Sequence, residues 1–312
     1  MKSALRNTTN QRPKKILIDS SNLLHRAHWI SENTKSTVNP AYIFLTSVKK
    51  YVDKFNSTEV YSIWDKRLTD GKNYRQLLTG ESYKGNRDKE RSERVYANEE
   101  LTSKLLSELG VRNMYPGILE GDDVIAWLCK NIEGEKIVVS ADQDMLQLIN
   151  SETTVYSPIK DILIDSSNFT EAVGIDMENF VKYKALMGDK SDNIEGLPKC
   201  GPKTAIKLIK MYPTDEDLEA NLQESSLNIF LRNRKLVDLN HGVKEHPEDI
   251  KIYEKQYAKL KDLKPDFNKF ESTCRSYNMK KIVDNIHTWK TAFNKKTLAL
   301  TLESIVNSLD LG

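Results

Sequence analysis

The residues best suited to chemistry lie in one stretch, residues 186–209, where two aspartates precede a turn rich in glycine and proline and a lysine-bearing helix. Asp189 and Asp192 offer oxygen ligands of the kind that hard divalent cations prefer. The following segment, residues 196–209, predicts a helix–turn–helix hairpin with Pro202 near the first turn of its second helix. Exposed amides at a helix start can hold a phosphate. A cation site joined to a phosphate-binding hairpin indicates an enzyme that cuts nucleic acid.

More acidic residues stand where predicted strands end. Short apolar runs lead directly to Asp19 and Asp65, and a third run leads to Asp142 and Asp144. In an open α/β sheet the ligand site lies beyond the carboxyl ends of the strands, so these side chains are expected at one edge. A single aspartate in such a place is common as a helix cap, and that explanation stays open for each one alone. Three such strands together favour a shared site.

The complete acidic set has nine members, because Glu120-Gly121-Asp122-Asp123 opens a further predicted helix. One acid there could simply complement the helix dipole. The set is Asp19, Asp65, Glu120, Asp122, Asp123, Asp142, Asp144, Asp189 and Asp192. Converging carboxylates repel one another and need counter-charge. Carboxylates without His or Cys select Mg²⁺, with Mn²⁺ as a substitute, and two ions about 3.5–4 Å apart serve phosphodiester hydrolysis.

The elements that must position these acids follow from hydrophobic patterning. Apolar runs at residues 15–18, 59–64 and 136–140 predict buried, mostly parallel strands of an α/β fold. Crossover helices are predicted over residues 42–55, 98–109 and 122–131. Residues 215–239 and 265–309 are predicted to be mostly helical, and the amphipathic end, residues 294–309, suits core packing or a partner-binding helix. Neither a glycine-rich dinucleotide fingerprint nor a P-loop is present.

A polar segment from residue 66 to about residue 100 interleaves aromatic and basic side chains. Arg75, Tyr83, Lys84 and Arg87 belong to it, and this combination suits base stacking with phosphate contact. A solvated helix held by i,i+4 ion pairs explains the same charge density equally well. A cation from outside the acidic set would help to neutralise a transition state, and Lys84 and Arg87 are the candidates.

Composition excludes several classes of protein. With 312 residues, 38% hydrophobic, 29% charged and a net charge of +2, the chain suits a globular protein. It has no apolar run of membrane-spanning length. Cys129, Cys200 and Cys274 are too far apart for a zinc set or a disulfide framework, which favours a reducing, cytoplasmic setting. Residues 1–14 are polar and basic and are expected to form a disordered lead-in. A monomer is expected.

The ordered motifs resemble the 5′-nuclease family, which includes flap endonucleases and bacterial polymerase 5′-exonuclease domains. The resemblance is strongest to the phage type, which includes ribonuclease H enzymes that remove primers. It runs from about residue 14 to residue 239. The motifs that carry it are residues 18–22, 83–87, 120–123, 140–144 and 187–194, followed by the hairpin 196–205.

The resemblance implies a PIN-like nuclease domain over residues 15–180, with a helical arch at about 66–100, and a helical domain over 181–312. It implies two metal ions. One would be held by Asp19, Asp65, Glu120 and Asp122 or Asp123, and the other served by Asp142, Asp144, Asp189 and Asp192. Lys84 and Arg87 would touch the scissile phosphate from the base of the arch, and Tyr83 would stack on a terminal base.

The resemblance also assigns the hairpin, a helix–three-turn–helix motif, to the duplex backbone. The expected nucleic-acid contacts are Tyr83, Arg75, Gly196, Lys199, Gly201, Lys203, Thr204 and Lys207. A tight turn between packed helices is the alternative from pattern alone. Family members hold a monovalent cation such as K⁺ at the hairpin. Lys199 replaces the first glycine of the family's turn, so a less tight turn is expected and the K⁺ site is placed in question.

The implied reaction is hydrolysis at 5′ ends or flaps of DNA, leaving a 5′-phosphate and a 3′-hydroxyl. The resemblance also implies RNA primers on DNA as a further substrate and phage replication as the setting, and it leaves a single-strand-binding protein or sliding clamp open as a partner. A Mg²⁺-dependent phosphatase or phosphotransferase is disfavoured because Asp19-Ser20-Ser21 lacks a second aspartate two residues on. A protein that only binds DNA junctions would have lost carboxylates, and none of the nine positions is changed.

Overall fold

The computed structural model describes residues 14–34, 38–57, 59–66, 72–80, 83–85 and 89–294. The predictions for residues 1–13, for Arg87 and for residues 295–309 lie outside this part of the chain, as do parts of the predicted arch. Within the described residues, no helix is long and apolar enough to span a membrane.

A six-stranded sheet forms the centre, with strand order β3-β2-β1-β4-β5-β6. Its strands are β1 Lys15–Asp19, β2 Glu59–Ile63, β3 Arg112–Met114, β4 Lys136–Val139, β5 Thr153–Ser157 and β6 Ile162–Ile164. The first five are parallel to their neighbours, and β6 is an antiparallel edge strand. The chain leaves β1 toward β2 and β3, then returns to β4 on the other side. The strand order therefore reverses beside β1, where α/β folds commonly place ligands.

Eleven helices occupy the described chain up to residue 237, and they enclose the sheet and build the hairpin region. They are α1 Ser20–Asn33, α2 Pro40–Lys54, α3 Tyr74–Thr79, α4 Lys89–Tyr96, α5 Glu99–Glu108, α6 Gly121–Asn131, α7 Phe169–Val173, α8 Phe180–Met187, α9 Pro202–Met211, α10 Asp215–Asn221 and α11 Glu224–Val237. The predicted crossover helices correspond to α2, α5 and α6. Asn39 caps α2 through its side chain, and Pro40 occupies the first turn.

Five more helices complete the described chain. They are α12 Leu239–Glu245, α13 Pro247–Leu260, α14 Phe267–Ser276, α15 Lys280–Asp284 and α16 Ile286–Phe293. Short 3₁₀ turns lie at Gln143–Leu148 and Met177–Asn179, and a small antiparallel ribbon pairs β7 Gly188–Asp189 with β8 Ile194–Glu195.

Two hydrophobic clusters cover the opposite faces of the sheet. Ile16 and Ile18 point into one cluster and Leu17 into the other, as alternation along a strand requires. Phe270 and Trp289, from α14 and α16, belong to the first cluster, so the end of the described chain packs back onto the sheet.

A third cluster surrounds the hairpin and draws almost entirely on residues 185–237. Its buried centre includes Ala185, Ala205 and Phe230. The α/β class with a mostly parallel sheet and a helical C-terminal region is confirmed. The domain division at residue 180/181 stays a prediction, since helices beyond residue 237 pack on the sheet rather than in this third cluster.

Candidate active site

An acidic cleft opens beyond the carboxyl ends of β1, β2 and β4. Four of the nine carboxylates line it, together with Lys84 from the polar segment. The full lining of the acidic cleft is Asp19, Ser21, Asn22, His25, Asp65, Lys84, Ser92, Tyr96, Asp122 and Asp142. The sheet-edge prediction therefore brings together Asp19, Asp65 and Asp142, and α6 adds Asp122.

Asp19 is fixed at the end of β1 by two hydrogen bonds. One oxygen accepts from the Asn22 amide at 3.1 Å, which caps α1, and the other accepts from the Ser140 hydroxyl at 2.6 Å. The capping function and a place in the acidic cleft are therefore compatible. Burial raises the pKa of Asp19 to about 7; the Ser140 bond opposes this rise, and the charges of Asp65 and Asp142 add to it.

Asp65 and Asp122 reach the acidic cleft from two segments that contact each other, the loop after β2 and the first turn of α6. The Gly121 amide donates to Asp65 at 2.9 Å, and the Asp65 amide donates to Ser21 at 2.8 Å, so the loop after β2 is pinned to two helix starts. Burial raises the pKa of Asp122 well above its ordinary value, and the charges of Asp19 and Asp142 raise it further.

This donor set suits a hard divalent cation. Buried carboxylates of like charge favour protonation, and a cation of charge +2 reverses that preference. In the described residues, no three acidic, imidazole or thiol groups are drawn together tightly enough to form a ready-made ligand set. Mg²⁺ suits such an arrangement because it retains several of its waters and needs only a few carboxylates.

A second acidic group, Asp144, Asp189 and Asp192, lies where the 3₁₀ turn after β4 meets the β7–β8 turn. Asp144 and Asp189 share a partner, the ammonium of Lys184, with the contact to Asp144 at 2.8 Å. Burial raises the pKa of Asp144 to about 6, and Lys184 only partly offsets this. Burial also opposes ionisation of Asp189, but the bonds from Lys184 and Ser191 outweigh it and lower its pKa.

Asp123 does not join the acidic cleft. Its side chain is fully buried and accepts two hydrogen bonds from Arg75, at 2.7 and 3.0 Å. It also accepts from the Glu120 amide at the start of α6. Of the two aspartates left open as metal ligands, the structure directs Asp122 to the acidic cleft and Asp123 to a buried ion pair.

Arg75 was predicted to contact nucleic acid, and the structure contradicts this. Only 3% of the residue is exposed. Its guanidinium bonds Asp123 and Glu120, and its Nε donates to the Leu236 carbonyl at 2.9 Å. A basic residue in a polar segment resembles a phosphate ligand by composition, but here two carboxylates and a main-chain carbonyl, all distant in the sequence, accept from the guanidinium.

Tyr83 is likewise unavailable for base stacking. Its side chain is 3% exposed, and its hydroxyl donates toward Glu120 at 2.8 Å and Asp192 at 3.1 Å. Burial raises the pKa of Tyr83 well above its ordinary value, and Glu120 raises it further. The tyrosine belongs to the hairpin cluster instead.

Glu120 is the centre of these contacts. It accepts from Lys84 at 2.7 Å and from Asn73 at 3.0 Å, in addition to Arg75 and Tyr83. Burial disfavours its charge, but Lys84 and Arg75 outweigh burial and lower the pKa of Glu120 to about 2. Glu120 is therefore already neutralised by the protein's own cations, unlike the carboxylates that line the acidic cleft.

Lys84 combines a position in the acidic cleft with an unusual backbone. Its φ is +54°, in the left-handed region that non-glycine residues rarely adopt. Its amide donates to the Asp192 carbonyl at 3.0 Å, which ties the polar segment to the β7–β8 turn. Arg87, the second predicted catalytic cation, lies outside the described residues.

The hairpin starts at the β7–β8 ribbon and ends in α9, with Pro202 in the first turn as predicted. Lys203, Thr204 and Lys207 on α9 are exposed, as is Gly201 before it. Lys199 is exposed with a φ of +58°, in the left-handed region that favours glycine. The lysine therefore occupies a backbone conformation that is strained for a residue with a Cβ.

Two glycines of the ribbon pack backbone against backbone. A Cβ on Gly196 would stand 2.2 Å from the Met187 carbonyl oxygen, and a Cβ on Gly188 would stand 2.3 Å from the Gly196 nitrogen. Gly188 also has a φ of +69°. Gly196 was predicted to contact DNA, and backbone packing alone already requires a glycine at this position.

Sequence reasoning missed the buried partners of the site. Arg75 and Lys184 both neutralise predicted ligands, and Ser140 holds Asp19. Lys184 could have been noticed as a lysine in the largely apolar helix α8, five residues before Asp189. Nothing in the local pattern around Arg75 indicates a partner 48 residues away.

Comparison with known proteins places this geometry in a family. Residues 14–174 match the family of the 5′-3′ exonuclease N-terminal, resolvase-like domain, and residues 175–280 match the 5′-3′ exonuclease C-terminal SAM fold. The chain belongs to the 5′-3′ exonuclease family. The match to the N-terminal domain is followed directly by the match to the C-terminal domain, and together they cover residues 14–280.

Relatives agree with this assignment to the 5′-3′ exonuclease family. A 5′-3′ exonuclease of Buchnera aphidicola subsp. Schizaphis graminum is 30% identical over 289 residues, which cover 88% of this chain and 95% of the relative. A 5′-3′ exonuclease of Halalkalibacterium halodurans is 31% identical over 242 residues, which cover 72% and 78%.

A solved structure shares the fold of this exonuclease family member. The bacteriophage T5 D15 flap endonuclease, solved with DNA and metal ions, superposes with a TM-score of 0.67 at 20% identity, covering 80% of this chain and 98% of that one. A T5 5′-exonuclease with bound zinc gives a TM-score of 0.68 at 19% identity, covering 80% and 99%. At this identity the likeness is one of fold.

Proposed function

We propose that this 5′-3′ exonuclease family member is a metal-dependent nuclease that hydrolyses phosphodiester bonds at 5′ ends or flaps of DNA. The observation that carries the proposal is the acidic cleft, where Asp19, Asp65, Asp122 and Asp142 lie beyond the strand ends and face Lys84. A relative from Shewanella loihica named flap endonuclease Xni, 27% identical over 212 residues, supports the flap substrate.

The proposed cofactor is a pair of Mg²⁺ ions, for which Mn²⁺ can substitute. The four carboxylates of the acidic cleft would hold one ion, and Asp144, Asp189 and Asp192 would serve the other. When bound, such ions activate water and stabilise charge on the phosphate oxygens. The solved T5 structures that contain metal ions support this use of the fold.

In this proposal, side chains of the protein neutralise charge on the phosphate and hold the neutralising cation in position. Lys84 supplies a cation to the acidic cleft, where charge would develop on the phosphate. Glu120 holds that cation in place through the 2.7 Å contact, and Tyr83 fixes Glu120 in turn. We propose a positioning role for Glu120 and Tyr83, in place of metal ligation and base stacking.

The hairpin is proposed to hold the duplex through its backbone phosphates. Lys199, Lys203 and Lys207 are exposed on one turn and the helix that follows it. Contacts of this kind supply affinity without reading sequence. Thr204 and Gly201, exposed at the start of α9, offer a hydroxyl and an uncovered backbone to the same phosphates.

The wider setting is also proposed. We divide the chain into a nuclease domain over residues 15–180, with the arch near 66–100, and a helical domain over 181–312. Removal of flaps or RNA primers during phage replication, in the host cytoplasm and as a monomer, is the function that fits the resemblance. A K⁺ ion at the hairpin and a single-strand-binding protein or clamp as partner belong to the same proposal.

The direct test uses a duplex with a labelled 5′ flap, incubated with the protein in Mg²⁺ or in chelator. We expect a metal-dependent product with a 5′-phosphate and a 3′-hydroxyl, and loss of that product in Asp122→Asn, which keeps the side chain's shape. Binding without cleavage would indicate a junction-binding protein. Release of inorganic phosphate alone would indicate a phosphatase. Either result would overturn the proposed activity.

A further inference from the structure

The second acidic group already contains a cation that the protein supplies itself. The Lys184 ammonium lies 2.8 Å from Asp144 Oδ1 and contacts Asp189 Oδ2 directly. The Lys184 side chain is only 12% exposed, and those of Asp144 and Asp189 are 14% exposed. One ammonium therefore bridges two predicted ligands of the second metal ion.

The remaining oxygen of Asp189 is occupied as well. It accepts from the Ser191 amide at 2.7 Å, from the Ser191 hydroxyl at 2.5 Å and from the Asp192 amide at 3.3 Å. The acidic cleft also has a protein cation, Lys84, but its arrangement differs because that ammonium pairs with Glu120 at 2.7 Å. Asp19, Asp65 and Asp122 there accept from neutral amides and hydroxyls or face one another, and burial together with mutual repulsion raises the pKa of Asp122.

We infer that Lys184 is a resident counter-cation of the second metal position, so that a divalent ion binds between Asp144 and Asp189 only in competition with the ammonium. This inference rests on the proposed two-ion site. Two like charges cannot share one pair of carboxylates at contact distance without strong repulsion. The two ions should therefore bind in order, the first in the acidic cleft and the second only at higher concentration.

A purely structural role is the competing explanation. Lys184 lies on α8, Asp144 on the 3₁₀ turn after β4 and Asp189 on β7, so the same contacts also join three elements. In that case the bridge would stay intact when metal binds. The affinities of the two metal ions and the NMR signal of the Lys184 ammonium distinguish a counter-cation from a structural bridge, and neither measurement depends on catalysis.

The experiment is a Mn²⁺ titration of the full chain, followed by calorimetry and by electron paramagnetic resonance. In the wild type we expect one tight ion and one weak ion. Lys184→Met keeps the length of the side chain and removes its charge, and we expect the weak ion to bind at least roughly tenfold more tightly, with the first ion unchanged. Unchanged binding of the second ion in a folded variant would overturn the inference.

Lys182→Met is the matched control. Lys182 is on the same helix and similarly buried, but it pairs with Asp215 at 3.0 Å and with the Pro213 carbonyl, away from the acids. We expect its loss to leave both Mn²⁺ affinities as in the wild type. An equal gain in this control would show that the effect comes from general charge removal and would contradict the specific role of Lys184.

A measurement on the wild type covers the case in which Lys184→Met does not fold. In protein labelled with ¹⁵N-lysine, the Lys184 ammonium signal should stay constant while the first Mg²⁺ equivalent binds and change as the second binds. A signal constant through both steps would overturn the inference while leaving the proposed nuclease intact. If neither ion binds, the proposed function and this inference fail together.

Discussion

Lys84 Nζ lies 2.7 Å from Glu120 Oε1, and this contact joins the polar segment to the residue that caps the start of α6. The same ammonium faces the acidic cleft. Burial opposes the charge of Glu120, yet Lys84 and Arg75 lower its pKa and keep it ionised. The ion pair thus holds a cation beside the proposed metal ions, where free lysine would otherwise sample many rotamers.

Replacing Lys84 with Ala should reduce turnover far more than DNA affinity, because its charge is needed most in the transition state. We expect a loss of about 10²–10³-fold in the single-turnover rate, as for other electrostatic groups aimed at developing charge. Lys203→Ala should show the opposite pattern, weaker binding with a preserved rate at saturating DNA. An unchanged rate in Lys84→Ala would refute its role.

Replacing Arg75 with Met should destabilise the protein by about 3–5 kcal/mol, because the fully buried Asp123 loses its counter-charge and the two hydrogen bonds from Arg75 and keeps only the bond from the Glu120 amide. The free energy of unfolding in urea measures this. Arg275→Met is the control. It removes an exposed i,i+4 pair with Glu271, and such pairs contribute about 0–1 kcal/mol. A loss at Arg75 no larger than at Arg275 would contradict the buried network.

Metal-free protein should lose stability as the pH rises from about 4 to about 7. The pKa of Asp19 rises from 3.8 to about 7 and that of Asp144 to about 6, mainly because of burial. The folded state then binds these protons more tightly than the unfolded chain, so the stability they contribute is complete below pH 3.8 and is lost as the pH passes the folded pKa values.

Melting temperatures measured against pH, in chelator and in Mg²⁺, check this dependence. Saturating Mg²⁺ should remove the decline, because the cation favours the ionised carboxylates and its binding releases their protons. Asp122→Asn should melt higher than the wild type in chelator, since burial and two neighbouring acids raise the pKa of Asp122. Parallel curves with and without Mg²⁺ would speak against a cation site in the acidic cleft.

Replacing Lys199 with Gly should stabilise the protein by about 0.5–1 kcal/mol. A lysine at a φ of +58° costs about 1–2 kcal/mol, and the greater freedom of glycine in the unfolded chain cancels part of the relief. Lys203→Gly, in the first turns of α9, should instead destabilise by about 1 kcal/mol. The free energy of unfolding in urea, measured for both variants, tests this prediction. Destabilisation by Lys199→Gly would contradict the inference that the lysine strains the turn.

Neutralising Lys203 and Lys207 together as Gln should weaken duplex binding and flatten its salt dependence. Each phosphate that is no longer neutralised by a lysine reduces the slope of log K against log salt by about 0.9, so the slope of the double variant should fall by up to about 1.8. Lys251 and Lys255, exposed on α13, provide a control with the same change of net charge. If both double variants give the wild-type slope, the hairpin does not hold the backbone.

The fold was predictable because its signals are local or obey a simple rule of topology. Apolar runs indicated β1, β2 and β4, and the rule for parallel sheets put Asp19, Asp65 and Asp142 at one edge. Pro202 indicated the start of α9 because proline is favoured in the first turn of a helix.

The partners of the site were not predictable because they join residues far apart in the chain. Arg75 and Tyr83 fit the pattern of nucleic-acid contacts, yet long-range hydrogen bonds to Asp123, Glu120 and Asp192 bury both. Composition cannot tell an arginine that meets phosphate from one that meets carboxylate, since both groups are anionic oxygen acceptors. For Arg75 on α3, the tertiary structure decides, because it brings the guanidinium to Asp123 on α6 and to the Leu236 carbonyl on α11.

The ribbon of Gly188 and Gly196 has a consequence for how the proposed nuclease could change its cutting position. Main-chain atoms meet there with no side chain between them, and the Leu197 amide closes onto the Leu186 carbonyl at 2.9 Å. The turn that carries Asp189 and Asp192 and the hairpin proposed to hold the duplex are thus joined directly through packed backbone. A larger residue at Gly188 or Gly196 would clash with this backbone. A different distance between the hairpin and the proposed cleavage site would therefore require inserted residues, because the backbone of the ribbon sets that distance.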